Sequence, residues 1–313
     1  MARNSIEDSK TPVPLGQFKA PRYWPMWLLL GSMWLVAHLP FFLQIKIGQL
    51  LGLLSFLLAK DRRHVCEVNV RLCFPELAES EQKQLVRKTF LSNGIGLIEI
   101  AISWFRDPKD YESIMEVSGL ENLQQAMADG KGVLLVCAHF TTIEIGAFLF
   151  SLLKQMDVTY RPNDNPLFQA AMFNGRIRHY DRVYDRKDVR GALKSLKDGR
   201  ILWYAPDQDY GAKHSVYVPF FGIQAATITA TSRFAKIGNA SVVFFSHYRN
   251  EDNSGYHLDF SPALKDFPSG DDEADACRIN SLVEDAIRVK PDQYLWLHKR
   301  FKTQAAGKDA RPY

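Results

Sequence analysis

A histidine and a glutamate stand five positions apart where a long apolar run of the sequence ends. The stretch VLLVCAHFTTIE (133–144) contains His139 and, at its last position, Glu144. A carboxylate that accepts a hydrogen bond from imidazole Nδ1 fixes the tautomer and leaves the other nitrogen free to take a proton from an alcohol. Residues five apart on one helix point about 140° from each other. The pair therefore requires His139 in the turn before a helix and Glu144 in the first turn of that helix.

The same residues also predict the start of a helix. Thr141 and Glu144 have the spacing of a capping box, with Thr141 as the N-cap. Under this structural interpretation, His139 is a hydrogen-bonded histidine at the end of a strand. The two interpretations are compatible, because a cap at Thr141 places Glu144 in the first turn and leaves His139 outside the helix.

Polar side chains also follow the next two apolar strands that the sequence predicts. Arg161, Asn163 and Asp164 lie in YRPNDNP (160–166), and Asp207 and Asp209 lie in YAPDQDYG (204–211). The carboxyl ends of parallel strands meet at one edge of a sheet, and ligands bind there. We therefore expect these side chains beside His139 as substrate-binding residues, although an aspartate such as Asp207 could equally cap a loop.

A further candidate for the site is Arg176, which lies in NGRIR near the end of a predicted helix. Its guanidinium could bind a phosphate through two parallel hydrogen bonds. The structural alternative is a positive charge that stabilises the C-terminus of the helix. Nearby, Arg182, Arg186 and Arg190 are interpreted as solvated surface charges.

The order of elements predicts an α/β domain with a mostly parallel central sheet flanked by helices, because strands alternate with helices from Gly130 onward. Strands are predicted within 130–139, 156–163, 182–185, 200–207, 215–222, 240–249 and 255–264, with the last two paired. Helices are predicted from Asn165 onward and at 187–199, 227–239 and 271–291. Three earlier helices, at 61–71, 80–90 and 92–105, form a preface to a catalytic domain at 105–313.

The segment WPMWLLLGSMWLVAHLPFFLQI (24–45) has no charged residue and is long enough to cross about 30 Å of hydrocarbon. It predicts a transmembrane helix at 23–46, between a polar segment at 1–22 and an interfacial and helical preface at 47–104. The alternative is a buried helix of a soluble protein. A second apolar run, IGQLLGLLSFLL (47–58), is too short to span and is expected to lie in the interface or on the domain.

Composition and missing motifs narrow the function classes. The 313 residues are 46% hydrophobic and 24% charged, which fits a folded α/β domain, and the net charge of +4 identifies no partner. Four cysteines without metal-site spacing fit a reducing compartment. The chain has no GxSxG, GxxxxGK[ST] or HExxH motif. Asp207 and Asp209 could suggest a glycosidase or a metal site, but no companion residues support a metal. The aromatic residues lie in apolar runs, so nucleic-acid binding is not expected.

With these motifs in view, the sequence resembles the late acyltransferases of lipid A biosynthesis in Gram-negative bacteria, especially their lauroyl- and palmitoleoyl-transferring branch. The resemblance covers nearly the whole chain. It rests on NVRLCFPEL (69–77), HFTTIEIG (139–146), YRPNDNP (160–166), WYAPDQDYG (203–211), SVYVPFFG (215–222) and PDQYLWLHKRFKT (291–303). The FPE at 74–76 continues as LAE and precedes the histidine, unlike the FPEGTR block usual in glycerolipid acyltransferases, which argues against a phosphatidic-acid enzyme.

The resemblance implies a glycerol-phosphate-acyltransferase-like fold and a single-pass protein of the bacterial inner membrane, with its catalytic domain on the cytoplasmic side. Such an enzyme moves a fatty acyl chain, here lauroyl, from acyl carrier protein to a hydroxyacyl hydroxyl of (Kdo)2-lipid IVA, without a metal or other cofactor. The family's His-x4-acid motif falls on His139 and Glu144, and its arginine and aspartate fall on Arg176 and Asp207. The thioester is already activated, so we expect direct attack by the hydroxyl in a ternary complex.

Two parts of this mechanism remain open to more than one interpretation. The oxyanion could be stabilised by backbone N–H groups after His139 or by Arg176. The basic run HKRFK (298–302) could dock the acidic carrier protein or could be a solvated charge run. The alternatives for function are palmitoleoyl or myristoyl specificity, a glycerolipid acyltransferase, or a non-catalytic membrane protein that binds anionic lipid.

Overall fold

The computed structural model describes residues 10–128, 130–307, 310 and 312–313. Four helices come first: α1 (Trp24–Ala37), α2 (Phe41–Leu58), α3 (Lys60–Cys73) and α4 (Glu79–Phe105). Six more follow: α5 (Leu120–Ala128), α6 (Ile143–Phe150), α7 (Pro166–Ile177), α8 (Val189–Lys197), α9 (Ala230–Gly238) and α10 (Asp272–Val289). The strands are β1 (Met115–Ser118), β2 (Val133–Val136), β3 (Asp157–Tyr160), β4 (Arg182–Asp185), β5 (Ile201–Tyr204), β6 (Ser215–Phe220), β7 (Ile223–Ile228), β8 (Ser241–Arg249) and β9 (Tyr256–Phe260).

The central sheet is mostly parallel, which confirms the predicted α/β class. Its seven strands run in the order β1-β9-β8-β2-β5-β3-β4. Only the β8–β9 pairing is antiparallel. All four residues of β2 are fully buried, as a run without polar alternation requires when helices cover both faces of a sheet. Apolar clusters on the two faces therefore fix β2 and its neighbours in the centre of the domain.

Most predicted elements are present, and the differences are local. Pro166 begins α7, and the Asn165 side chain accepts hydrogen bonds from the N–H groups of Leu167 and Phe168, as the Asn-Pro pair predicts. The two helices predicted at 80–90 and 92–105 are one continuous helix, α4. The helix predicted at 227–239 begins only at Ala230, because the residues before it form β7, which pairs with β6 in a separate hairpin. Strand β1 and helix α5 were not predicted.

The apolar segment at 23–46, predicted to be a single transmembrane helix, is not one continuous helix, because the helix breaks at Pro40. Helix α1 ends at Ala37 and α2 begins at Phe41. Proline has no N–H to donate, and it disfavours a helical conformation for the residue before it. The run at 47–58 is therefore joined to residues 41–46. Within the described residues, α2 is the one helix that is long and apolar enough to span a membrane.

Helix α2 packs closely against α4 through glycines. A Cβ added at Gly52 would lie 2.4 Å from the carbonyl oxygen of Phe90 in α4. A Cβ added at Gly94 of α4 would lie 2.2 Å from the carbonyl oxygen of Gly48 in α2. The two backbones can approach this closely only where side chains are missing, so α2 is held along the side of α4.

Replacing Gly52 with alanine should therefore force α2 away from α4. We expect Gly52→Ala to lower the free energy of unfolding by about 1–3 kcal/mol, the usual cost of overpacking. Urea unfolding in detergent, followed by circular dichroism, measures this loss. Gly31→Ala is the matched control, because a Cβ there meets no atom within 4 Å and alanine favours a helix interior. Equal stability of the two variants would contradict the close packing.

Candidate active site

The register of two neighbouring strands brings His139 next to Asp207. In the parallel pairing of β2 with β5, Val136 lies opposite Tyr204. His139 and Asp207 each follow these residues by three positions. The Cys137 N–H still donates to the Tyr204 carbonyl at 3.0 Å, so the two chains run together a little beyond the strands. The sheet thus places both side chains at its carboxyl edge, where ligands bind in α/β folds.

Asp207 holds the His139 imidazole in one orientation. One carboxylate oxygen, Oδ1, lies 2.6 Å from His139 Nδ1, and the other, Oδ2, accepts the His139 backbone N–H at 3.0 Å. An ionised carboxylate can only accept hydrogen bonds, so Nδ1 carries the proton. Nε2 is then unprotonated in the neutral ring, and it makes no hydrogen bond to any described residue. The His139 side chain is 23% exposed, so Nε2 can be reached from outside.

Asp207 stays ionised although it is buried. Burial alone would raise its pKa, but the charge of His139 and hydrogen bonds from His139 and Tyr294 outweigh burial and lower that pKa to about 2. The Tyr294 hydroxyl donates to Asp207 Oδ2 at 2.9 Å, and Tyr294 is itself buried. A permanent negative charge behind an imidazole stabilises the imidazolium that forms when Nε2 takes a proton. Tyr294 was missed as a site residue, although it lies in the conspicuous segment PDQYLWL.

Glu144 does not pair with His139, contrary to the sequence-based prediction. Glu144 lies in the first turn of α6, as expected, but its carboxylate faces α4 and α7. It accepts two hydrogen bonds from Arg176, at 2.9 and 2.7 Å, and one from the Trp104 indole at 3.1 Å. The partner of His139 comes instead from β5. Local spacing alone could not reveal this, because the contact joins residues far apart in sequence.

The capping box predicted at Thr141 is also wrong. The N-cap of α6 is Thr142, and its side chain makes no capping hydrogen bond. The Thr142 hydroxyl bonds to His247, at 2.9 Å from Nδ1 and 3.0 Å from the carbonyl oxygen. The Thr141 hydroxyl accepts a hydrogen bond from Arg249 at 2.9 Å. Both threonines therefore fasten the start of α6 to β8 and do not cap the helix.

The Glu144–Arg176 pair is a largely buried ion pair with both charges retained, since the Glu144 side chain is 9% exposed and the Arg176 side chain 18%. Burial would raise the pKa of Glu144, but the charge and hydrogen bonds of Arg176, with the Trp104 bond, lower it. Burial would lower the pKa of Arg176, but the same carboxylate raises it. Arg176 uses Nε and Nη2 on Glu144, and its Nη1 makes no hydrogen bond to any described residue. Arg176 is therefore oriented by Glu144, with one donor group left over.

A second buried ion pair supports the turn that carries His139. Arg249 at the end of β8 donates from Nε to Glu99 of α4 at 2.5 Å, and its Nη2 reaches Thr141. The Tyr256 hydroxyl also donates to Glu99, at 2.9 Å. Arg249 and Glu99 are each 1% exposed. These bonds fix the backbone directly after His139 to the strand and the helix on either side.

The segment 291–303, here called the C-terminal strap, closes over the same turn. The Leu295 N–H donates to the His139 carbonyl at 3.0 Å, and the Thr141 N–H donates to the Gln293 carbonyl at 2.7 Å. Further along, the Thr303 N–H and hydroxyl donate to Asp209 at 2.6 and 2.8 Å. Asp209 was expected to bind substrate; the structure instead shows it holding the strap.

The basic run HKRFK is not a uniformly exposed charged face. Arg300 is buried and donates to the carbonyl of Ala226 and the hydroxyl of Thr227. His298 accepts a hydrogen bond from the Asp209 N–H at 3.2 Å, and burial lowers its pKa to about 4. Only Lys299 and Lys302 are exposed. A solvated charge run therefore describes just two residues of this segment.

The other predicted substrate residues lie farther along the same edge of the sheet. Arg161, Asn163 and Asp164 are exposed in the loop after β3, and β5 separates β3 from β2. The Asn163 side chain accepts the Asn165 N–H at 2.9 Å, which shapes the loop before α7. The structure therefore brings His139, Asp207 and Asp209 to one part of this edge. Arg161, Asn163 and Asp164 make no hydrogen bond to any of those three residues.

Backbone donors for an oxyanion are fewer than the sequence suggested. The N–H groups of Phe140, Thr141 and Ile143 already donate to Ala138, Gln293 and Phe140, respectively. A group of three His, Cys, Asp or Glu residues that could hold a metal ion does not occur among the described residues. The arrangement supplies a general base backed by a carboxylate, beside a buried arginine–glutamate pair.

Comparison with known proteins shows similarity to acyltransferases along most of the chain. A profile of the bacterial lipid A biosynthesis acyltransferases matches residues 15–303. The chain is 41% identical to a lipid A biosynthesis lauroyltransferase of Escherichia coli (strain K12), over 93% of this chain and 95% of the relative. It is 34% identical to the palmitoleoyltransferase of the same organism, over 94% and 96%. Identity to the myristoyltransferase of that organism is 29%, over 95% and 92%.

The Glu144–Arg176 pair predicts a pH-dependent loss of stability in Arg176→Met. This change leaves a buried carboxylate without its cation, and we expect a loss of about 3–5 kcal/mol in the free energy of unfolding at pH 7. The lowered pKa of Glu144 means that the pair stabilises the wild-type fold above the unfolded pKa of about 4.3. That contribution disappears as the pH falls through the lower folded value. The difference in the free energy of unfolding between Arg176→Met and wild type should therefore become smaller below about pH 4.3.

Denaturant unfolding at pH 7 and at a series of pH values from 4 down to about 3 measures this difference. Arg186→Met is the matched control, because Arg186 is exposed and its loss should change stability by no more than about 0.5 kcal/mol. The double variant Glu144→Gln/Arg176→Met should lose less free energy of unfolding than Arg176→Met alone, because the double variant leaves no buried charge unpaired. A double variant as unstable as Arg176→Met would show that the ion pair is not the cause.

Proposed function

The chain belongs to the bacterial lipid A biosynthesis acyltransferases, and we propose that it transfers a lauroyl chain from acyl carrier protein to a hydroxyacyl hydroxyl of (Kdo)2-lipid IVA. The observation that carries the chemistry is the His139–Asp207 hydrogen bond, which leaves an accessible, unprotonated Nε2. The lauroyl assignment is supported by the 41% identity to a lauroyltransferase. Palmitoleoyl and myristoyl transfer are the alternatives, because relatives with those names are also similar.

His139 acts as the general base in this mechanism. Nε2 takes the proton of the acceptor hydroxyl while the hydroxyl oxygen attacks the thioester carbonyl carbon. Asp207 stabilises the imidazolium so formed. When the tetrahedral intermediate collapses, the C–S bond breaks and the imidazolium returns the proton to the leaving thiolate. The products are an ester and the free thiol of the carrier, so protons and electrons balance without an acyl-enzyme.

Glu144 and Arg176 act together as a second part of the site. Glu144 is saturated by Arg176 and Trp104, so it serves to orient the arginine and does not take the proton. The free Nη1 of Arg176 is the donor that we assign to an acceptor phosphate or to the developing oxyanion. Asp207 orients the base, the role that the sequence predicted for Glu144.

The apolar helices α1 and α2 fit a location at the inner membrane, with the catalytic domain on the cytoplasmic side. There the domain meets both the lipid acceptor and the soluble carrier protein. We assign no cofactor to the reaction, because the thioester supplies the activated acyl group. Lys299 and Lys302 are the exposed cations of the strap that could meet an acidic carrier.

Mass spectrometry of (Kdo)2-lipid IVA tests the reaction directly. The protein is incubated with the lipid and an equal mixture of lauroyl, myristoyl and palmitoleoyl carrier proteins. We expect a mass gain of one lauroyl group. A gain from another acyl group would replace the chain-length assignment, whereas no gain with any donor would refute the proposed function.

Site variants separate the roles of the two carboxylates. Removing a general base typically costs about 10²–10⁴-fold in rate, and we expect a loss in that range for His139→Ala and for Asp207→Asn. Glu144→Gln keeps an acceptor oxygen for Arg176. Its rate of acyl transfer should therefore fall by a factor at least about tenfold smaller than the rates of the other two variants. Initial rates of acyl transfer give the comparison.

The control for these variants is Glu273→Gln, an exposed carboxylate in the first turn of α10, which should leave the rate unchanged. A larger loss for Glu144→Gln than for Asp207→Asn would show that Glu144, and not Asp207, assists the base. Full activity of His139→Ala would remove the base mechanism altogether.

A further inference from the structure

Helices α1 and α2 present a broad apolar surface to the outside of the molecule. Exposed large side chains on α1 are Trp24, Trp27, Leu28, Leu29, Trp34 and Leu35, and those on α2 are Phe42, Leu43, Leu50, Leu51, Leu54, Leu57 and Leu58. A contiguous apolar patch of this kind marks a contact with another molecule or with a membrane. The tryptophans are the residue type enriched where hydrocarbon meets headgroups.

The opposite side of each helix is packed on the catalytic domain along its whole length. On α1, Leu30 packs with Trp104 of α4 and Leu167 of α7, and Ala37 is fully buried at the last turn. On α2, Gly48 and Gly52 lie directly against α4 and hold the helix on the domain. Helix α4 is itself part of the domain, since its Glu99 bonds to Arg249 of the sheet. Neither helix therefore projects away from the domain.

The turn between the helices is also tied to the domain side. The buried amide of Gln44 donates to the carbonyl oxygens of Ala37 and Leu39, at 2.8 and 3.0 Å. Arg106, just after α4, donates to the Ala37 carbonyl at 3.2 Å. The orphan carbonyls at the end of α1 are thus satisfied by α2 and by the domain.

Both ends of this helical pair attach to the same body. Before α1, the Val13 N–H and carbonyl bond to the Asn174 side chain of α7, at 2.8 and 2.9 Å. Lys10 lies 3.0 Å from Asp181. After α2, the Asn69 side chain of α3 donates to the carbonyl of Trp296 in the strap at 2.7 Å. A helix that crossed a bilayer once would place these two ends on opposite sides.

We propose that α1 and α2 form a monotopic anchor that lies in one leaflet of a phospholipid bilayer, with residues 10–22 on the same side as the catalytic domain. At about 1.5 Å per residue, the 14 residues of α1 reach about 21 Å, short of about 30 Å of hydrocarbon. Lys46 is the one charged residue in either helix and is exposed. Its long side chain can reach the headgroups, which stay near a helix that lies in the leaflet.

This inference rests on the membrane location proposed above and is independent of the acyl-transfer chemistry. It replaces a spanning helix with a helical pair in the plane of the membrane. The apolar surface is assigned to lipid and not to a second copy of the chain, because Trp24, Trp27 and Trp34 and the nearby cations Lys19 and Arg22 suit an interface between hydrocarbon and water.

Cysteine labelling in membrane vesicles tests the topology. Cys66, Cys73 and Cys137 are buried, so full-length Cys277→Ser is the background for single changes at exposed positions: Thr11→Cys, His38→Cys, Lys60→Cys and Glu251→Cys. An impermeant maleimide is added to sealed inverted vesicles, which expose the cytoplasmic face, and to right-side-out spheroplasts. We expect residues 11, 60 and 251 to be labelled fully in inverted vesicles, and none of the four to be labelled in spheroplasts.

Labelling of Thr11→Cys in spheroplasts would show a single crossing, and labelling of His38→Cys there would show a crossing hairpin. Either result would overturn the monotopic anchor. Because labelling needs no substrate, the test stays informative even if the protein proves to have another activity.

Vesicle flotation tests whether the apolar surface of α1 and α2 binds lipid. The full chain should float with vesicles of phosphatidylethanolamine and phosphatidylglycerol, and Leu50→Glu/Leu54→Glu should lose at least about tenfold in the floating fraction. Ile237→Glu is the matched control, because Ile237 is an exposed apolar residue of α9 outside the anchor; this variant should float like wild type. A double variant that floats normally, or a wild type that remains in solution as a dimer, would refute the lipid assignment.

Discussion

The register between β2 and β5 is the constraint on which the candidate site depends. Because Val136 lies opposite Tyr204, the residues three positions beyond each strand meet at the same edge. The Asp207 carboxylate then accepts both the backbone N–H and Nδ1–H of His139. A slip of one residue would move the aspartate away from the imidazole and exchange the side chains that the strand presents to the two faces of the sheet. The packing of the core and the geometry of the His139–Asp207 pair are therefore set by the same pairing of strands.

Helix α4 connects the apolar end of the molecule to this site. Its Gly94 admits α2, its Glu99 holds Arg249 beneath the His139 turn, and its Trp104 donates to Glu144. These contacts occur along three turns of one rigid element. Charged groups buried in this way are costly unless they are paired. Here each carboxylate accepts at least two hydrogen bonds, although Oε2 of Glu99 has no partner among the described residues. The result is a site whose side chains have little freedom to reorient.

Much of the fold follows from sequence patterns, because the signals are local. The glycine-bounded apolar run that contains residues 133–136 indicated a buried strand, and the Asn165–Pro166 pair indicated the start of α7. The strand β7 was missed because its residues IQAATI merge with a helical pattern that follows them. The helix break at Pro40 was signalled by the proline, but the absence of charge across 24–45 suggested a longer helix.

The site was predictable in its residues but not in its pairings. His139, Glu144, Arg176 and Asp207 could all be identified as site candidates from residue type and position. The spacing of HFTTIE favoured a bond between His139 and Glu144, and the structure pairs each with a residue from another element. Which strands are neighbours decides this, and the crossover order of a parallel sheet is not written in any single segment. His139 and Asp207 each follow their strand by three residues. This equal spacing was the feature of the sequence that could have predicted their pairing.

The C-terminal strap makes the turn at His139 depend on residues that lie far along the chain. The turn at His139 is bonded to residues 293 and 295, and Asp209 is bonded to Thr303. During synthesis, the sheet strands that carry His139 and Asp207 leave the ribosome well before these partners exist. The strands can therefore pair before the strap is available to hold the turn at His139. Helices α1 and α2 precede all of these residues, so the apolar helices are made well before the segment that clamps the turn.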